Sequence, residues 1–101
     1  MRRSPRAYLW DVQEATGAIL EFIHGRELQD YLADRQLRSA VERQFEILGE
    51  ALSQLSKIAP ELARRIPDLP QIVAFRNLLI HGYATVDHPM VWDTSVRLIW
   101  W

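Results

Sequence analysis

The chain has 101 residues, 49% hydrophobic and 25% charged, with a net charge of −1 and no cysteine. That length fits one domain over residues 1–101, and the near-zero charge confines any nucleic-acid contact to a local patch. Lack of cysteine excludes disulfides, thiolate chemistry and cysteine-ligated zinc; no apolar run approaches the roughly 20 residues of a membrane span, no signal-peptide pattern precedes the first helix, and the expected location is the cytoplasm.

Four glycines and five prolines in a leucine- and alanine-rich chain predict an all-α fold. Ser4-Pro5 reads as a helix start, a hydroxyl cap followed by proline at the first helical position. Leu9, Val12, Ile19 and Ile23 recur at helical spacing, and Gly25 ends that helix. A short second helix is expected over residues 26–33. Asp34 then caps the longest helix, whose apolar stripe is Leu37, Val41, Phe45, Leu48, Leu52 and Leu55. Its other face carries Arg43, Glu46 and Glu50, with Arg43 and Glu50 stacked two turns apart. Pro60 closes this helix, and residues 59–69 read as a turn-rich connection holding Arg64, Arg65 and Pro67.

Asp68 is expected to cap the next helix, with Pro70 tolerated in its first turn, and Gly82 to supply a left-handed stop after His81. Asp87 and Pro89 open a last helix bearing Val91, Trp92, Val96, Leu98 and Ile99, which reaches the end of the chain as Trp100-Trp101. No internal repeat, low-complexity tract or alternating strand pattern is visible.

The chemistry concentrates in Arg76-Asn77-Leu78-Leu79-Ile80-His81-Gly82-Tyr83. Four hydrogen-bonding groups beside three large apolar residues are costly to bury without partners. Arginine presents a planar, permanently charged fork to phosphate oxygens, and histidine holds or gives a proton near neutral pH. With a phenol they make a set suited to gripping a phosphodiester and moving protons on it. On an ideal helix Asn77 and His81 share a face, while Arg76 and His81 stand about 140° apart. Arg76 then reaches a ligand held by His81 only by bending across, or from the other chain of a dimer. Tyr83, past the glycine, is expected to expose its hydroxyl at the helix end.

A structural reading competes. Arg76 pairs with Glu50 or Glu46, Asn77 satisfies backbone groups, and His81 is a polar helix end favoured by the macrodipole. A metal is not expected, because His24, His81 and His88 fall in three different elements without ligand spacing. Arg64-Arg65 and Arg2-Arg3-Arg6 read as solvated charge before they read as an RNA patch.

The arginine, four residues, histidine, one residue, tyrosine pattern of Arg76 to Tyr83 resembles the signature of HEPN-domain ribonucleases, and Asn77 matches as well. Glu42-Arg43 followed by Ile47-Leu48-Gly49-Glu50-Ala51-Leu52 resembles the long helix of the HepT branch. Val86-Asp87 with Val91-Trp92-Asp93 resembles its closing helix. The likeness covers most of the chain, roughly residues 11–92. It implies an antiparallel HEPN bundle of about five helices that forms a homodimer and cuts RNA without a metal or other cofactor. It also implies a toxin–antitoxin system with a nucleotidyltransferase antitoxin. The resemblance makes Arg76 and His81 the catalytic pair and Tyr83 the residue that the antitoxin adenylylates. The chain departs from the pattern after Trp92, where a longer closing helix is expected.

The chemistry leads to the dimer independently. Cleavage by an internal 2′-hydroxyl needs a base for its proton and an acid for the leaving oxygen, while one protomer offers one histidine. A two-fold dimer supplies a second His81 and a second Arg76. Asn77, Arg43 and Glu50 are expected to support the motif, or else Arg43 and Glu50 are merely solvated. Two rival readings remain: a non-catalytic module that presents a helical surface to a nucleotidyltransferase, and a domain that positions a substrate for that partner. Tyr83 has its own plain alternative, a phenol that stacks on RNA or packs structurally.

Overall fold

Six α-helices and one 3-10 turn make up the computed structural model, which describes residues 3–98. Arg2, Ile99, Trp100, Trp101 and the side chain of Tyr83 lie outside the described residues. The helices are α1 (Pro5–Ile23), α2 (Leu28–Ala33), α3 (Arg35–Ile58), α4 (Pro60–Ala63), α5 (Leu69–His81) and α6 (His88–Arg97). No strand occurs among the described residues, so the expected all-α class holds. No helix is long and apolar enough to cross a membrane among those residues.

Local signals set most of the helix starts. The Ser4 hydroxyl accepts from the Ala7 N–H at 3.3 Å, and Pro5 occupies the first turn of α1. Asp34 and Asp87 do the same for α3 and α6, accepting from Leu37 N–H at 3.0 Å and Met90 N–H at 3.2 Å. Each bond satisfies a donor that the helix cannot pair internally. Gly25 takes φ +72° after α1, a backbone state that side chains disfavour. The short helix expected from residue 26 begins at Leu28, because Arg26 N–H is still bound to Ile23 C=O in the preceding turn.

α3 is the spine. Its 24 residues span about 36 Å at 1.5 Å per residue, close to the molecule's 40 Å long dimension. Leu37, Val41, Phe45, Leu48, Leu52 and Leu55 are all buried, as the stripe predicts. Each such side chain contributes roughly 1.5–3 kcal/mol on burial, so the stripe outweighs propensity in holding α3. Ala15 and Ile19 of α1, Tyr31 of α2, Ile72, Phe75 and Leu79 of α5, and Val91 of α6 close over it. Phe45 and Phe75 meet edge to face, centroids 5.1 Å apart, and tie α3 to α5.

Residues 59–69 are the turn-rich connection expected, with Pro60 opening the single helical turn α4 within it, since proline is pre-set for a first helical position. Two expectations fail locally. Asp68 precedes α5 but does not cap it through its side chain. It adopts φ 59°, ψ 18°, whereas side-chain capping requires an extended backbone at that position; only its C=O serves the helix, accepting from Ile72 N–H at 3.0 Å. Gly82 is not left-handed, with φ −121° and ψ 31°. Its N–H donates to Leu78 C=O at 2.7 Å and the chain keeps turning into the 3-10 turn Tyr83–Thr85, so no reversal is needed. Glycine suits the site for space instead: a Cβ there would stand 3.1 Å from the Leu78 carbonyl oxygen.

Candidate functional site

Packing of α5 on α3 divides the motif between two faces. Ile72, Phe75 and Leu79 point into the core, and Arg76 lies beside them, over α3. Its stem crosses the α3 backbone at Gly49, where a Cβ would come within 2.3 Å of Arg76 Cβ and 2.6 Å of Cγ. A glycine in a helix interior costs up to about 1 kcal/mol relative to alanine, and close approach of another element is the usual reason for tolerating it. Gly49 is therefore the seat of Arg76. Its mid-helix position was the available signal in the sequence, and which residue it admits depended on the fold.

From that seat the guanidinium is held at two points. Nη2 donates to Glu50 Oε2 at 2.6 Å, and Nη1 donates to Asn77 Oδ1 at 2.8 Å. Nε is buried with no partner. Glu50 also accepts from Gln54 Nε2 at 3.0 Å through its other oxygen. The Arg76 side chain is 24% exposed and Glu50 is 48% exposed. A pair this accessible to water adds on the order of 1 kcal/mol or less to stability, so its main effect is to fix an orientation. The competing structural contact of Arg76 is thus real, with Glu50 as the partner and not Glu46. Arg43, expected beside Glu50, donates to Glu46 at 3.1 Å.

His81 is the last residue of α5 and exposed; its side chain makes no hydrogen bond or ion pair among the described residues. Ala74, Asn77 and Leu78 share that outward face, and Leu78 is 43% exposed. Within one protomer the histidine stands on the outward face, while the arginine lies over α3 and meets that face through its bond to Asn77, bending across the separation of about 140°. Tyr83 follows after Gly82 and opens the 3-10 turn.

Two concave regions flank the motif. A groove of about 240 Å³ runs between α1, α3 and α5, with Arg76, Glu50, Arg43 and Arg3 among its lining. A larger cleft of about 520 Å³ lies between α5 and α6, lined by Phe75, Leu78, Met90 and Arg97 among others. The larger cleft is mainly apolar, and of the motif's hydrogen-bonding side chains Arg76 borders the smaller one. Elsewhere Glu42 faces His88 at 3.8 Å, and burial raises the Glu42 pKa against the lowering effect of His88 and Arg38. That cluster includes no motif residue.

Comparison with known proteins gives a consistent result. A family model described as "Ribonuclease HepT-like" matches residues 12–99. A protein of Thermococcus cleftensis named "Probable ribonuclease HepT" is 38% identical over 93% of this chain and 84% of its own length. Proteins named "Putative RNase" from Caldanaerobacter subterraneus and Methanocaldococcus jannaschii are 31% and 29% identical, over 96% and 90% of this chain and 86% and 83% of theirs. No solved structure matches the chain at a significant level.

Proposed function

The chain belongs to the Ribonuclease HepT-like family, and on that premise we propose that it is a metal-independent RNA endonuclease that acts as a homodimer and serves as the toxin of a toxin–antitoxin pair. The observation that carries this reading is the state of the two motif side chains. Arg76 is clamped in one orientation, while His81 stands exposed and uncommitted among the described residues, on a face shared with exposed Leu78. Pairing two such faces about a two-fold axis covers both leucines and brings two histidines into one cleft.

In that cleft one His81 takes the proton of a ribose 2′-hydroxyl. The 2′-oxygen attacks the adjacent phosphorus, and the bond to the 5′-oxygen breaks. The second His81 gives that leaving oxygen a proton. Arg76 binds the phosphate and offsets the charge that grows on its oxygens, while Asn77 and Glu50 keep the guanidinium aimed. The products are a 2′,3′-cyclic phosphate and a free 5′-hydroxyl. Incubation of the purified protein with RNA in excess chelator tests this. Cyclic phosphate or 3′-phosphate ends are expected; 5′-phosphate ends, or cleavage that returns only with a divalent ion, would refute the mechanism. Sedimentation should find a dimer at micromolar concentration, and a fully active monomer would remove the composite site.

The antitoxin in this reading is a nucleotidyltransferase that attaches AMP from ATP to Tyr83. The added phosphodiester places negative charge near Arg76, where the substrate phosphate must bind. Co-expression with such a partner should raise the intact mass by one or more AMP units and silence cleavage, with both effects lost in Tyr83→Phe. Inhibition that persists in Tyr83→Phe without added mass would mean simple occlusion. The Arg76–Glu50 contact is the one observation favouring the second reading, a non-catalytic module for the nucleotidyltransferase. Absence of cleavage by the pure dimer would select it.

A further inference from the structure

The amino-terminal arginines, which read as solvated charge in the sequence, do not all stay apart from the motif. The fold carries Arg3 to the same groove as Arg76, although 73 positions separate them. Within this groove the Arg3 guanidinium lies 4.9 Å from the centre of the Tyr8 ring and is paired with Asp11. Arg43 projects from α3 with a side chain 68% exposed and a single bond, through Nη1 to Glu46. It sits two turns, about 10 Å along the helix, from the Glu50 that holds Arg76. The three arginines thus border one groove that ends at the residue assigned to the scissile phosphate.

We propose that the groove bordered by Arg76, Arg43, Arg3 and Tyr8 is a strand-binding subsite for single-stranded RNA beside the cleavage point. It holds flanking phosphates on Arg43 and Arg3 and a flanking base on Tyr8. This deepens the ribonuclease reading and rests on it. The obvious objection is charge. Asp11, Glu46 and Glu50 also line the groove, so its three arginines are matched by three carboxylates.

Donor capacity answers it. A guanidinium has five donors, and Arg43 uses one of them, so it serves a phosphate while keeping Glu46. The carboxylates hold the arginines in place and reduce nonspecific attraction for other polyanions. The Tyr8 ring, already stacked by a guanidinium, is a platform of the kind on which unpaired bases stack.

The test uses the intact protein and a short 2′-O-methyl oligonucleotide, which cannot be cut because the attacking hydroxyl is blocked. Binding is measured against salt concentration. Arg43→Ala and Arg3→Ala should each reduce the slope of log affinity against log salt by about 0.7, the value per phosphate contact on a single strand. Tyr8→Ala should weaken binding roughly 5- to 150-fold, and Tyr8→Phe should restore it, because the stack needs the ring and not the hydroxyl. Arg64→Ala is the control: Arg64 is exposed, paired with Glu61 and absent from the groove lining. If Arg43→Ala and Arg3→Ala behave like Arg64→Ala in both slope and affinity, the subsite is overturned. Arg43 is so exposed that misfolding cannot explain a loss there. Failure of the ribonuclease reading looks different: the parent protein then leaves unmodified RNA uncut.

Discussion

Replacing His81 with alanine is expected to lower RNA cleavage by about 10²- to 10⁴-fold, the usual loss for one general acid–base group. The fold should survive, because the side chain is exposed and contributes nothing to the core. Arg76→Ala should cost about 10²- to 10³-fold, the effect of removing one preorganised donor from a developing negative charge. It strands no buried carboxylate, since Glu50 is 48% exposed and can hydrate. Arg76→Lys should recover little, because an ammonium lacks the planar fork that bonds Asn77 and Glu50 together. Rates are to be measured in excess chelator beside thermal melts of each variant. Parental cleavage by His81→Ala would remove the histidine from the mechanism, and melting temperatures far below the parent would make the losses structural.

Gly49→Ala should damage the molecule from within. Alanine improves helix propensity by up to about 1 kcal/mol, which alone would stabilise α3. Against this, the new methyl falls 2.3 Å from Arg76 Cβ, an atom fixed to the α5 backbone that no rotamer change moves aside. Overpacking of this sort typically costs 1–3 kcal/mol, and the relief available is displacement of α5 from α3. The net expectation is a loss on the order of 1 kcal/mol, or about 4–8 °C in melting temperature for a domain this small. Displacement also moves the guanidinium from Glu50, so cleavage should fall further than the unfolded fraction explains. A variant as stable and as active as the parent would show that Gly49 is no seat.

The parts of the fold legible in the sequence are those decided within a few residues. Ser4, Asp34 and Asp87 announce helices because a cap bond spans three residues, and the α3 stripe announces itself because burial repeats with the helical turn. Asp68 and Gly82 depart from the expected backbone for a common reason. Residue type shows which backbone states are affordable, but the path of the neighbouring chain selects among them. At Gly82 the continuing 3-10 turn made a left-handed residue unnecessary. The site divides in the same way. Arg76, Asn77, His81 and Tyr83 stand out by spacing, and Glu50 was a candidate by charge. The contact from Arg76 to Glu50 spans 26 positions and stands in the sequence as one of two possible pairings, so packing chooses between them, whereas the approach of Arg3 to the groove spans many more and only packing reveals it.

The order of the parts along the chain has a consequence for synthesis. Arg3 and Tyr8 leave the ribosome before Arg43, Gly49 and Glu50 of α3, and Arg76 and His81 come after these on α5, close behind one another. Chains emerge from their amino terminus at roughly 5–20 residues per second. A nascent fragment ending before α5 already holds the groove's outer wall and the empty seat at Gly49, but neither of the residues that would act on a phosphate. On the proposed mechanism, a product of translation interrupted before α5 would lack both side chains that act on RNA.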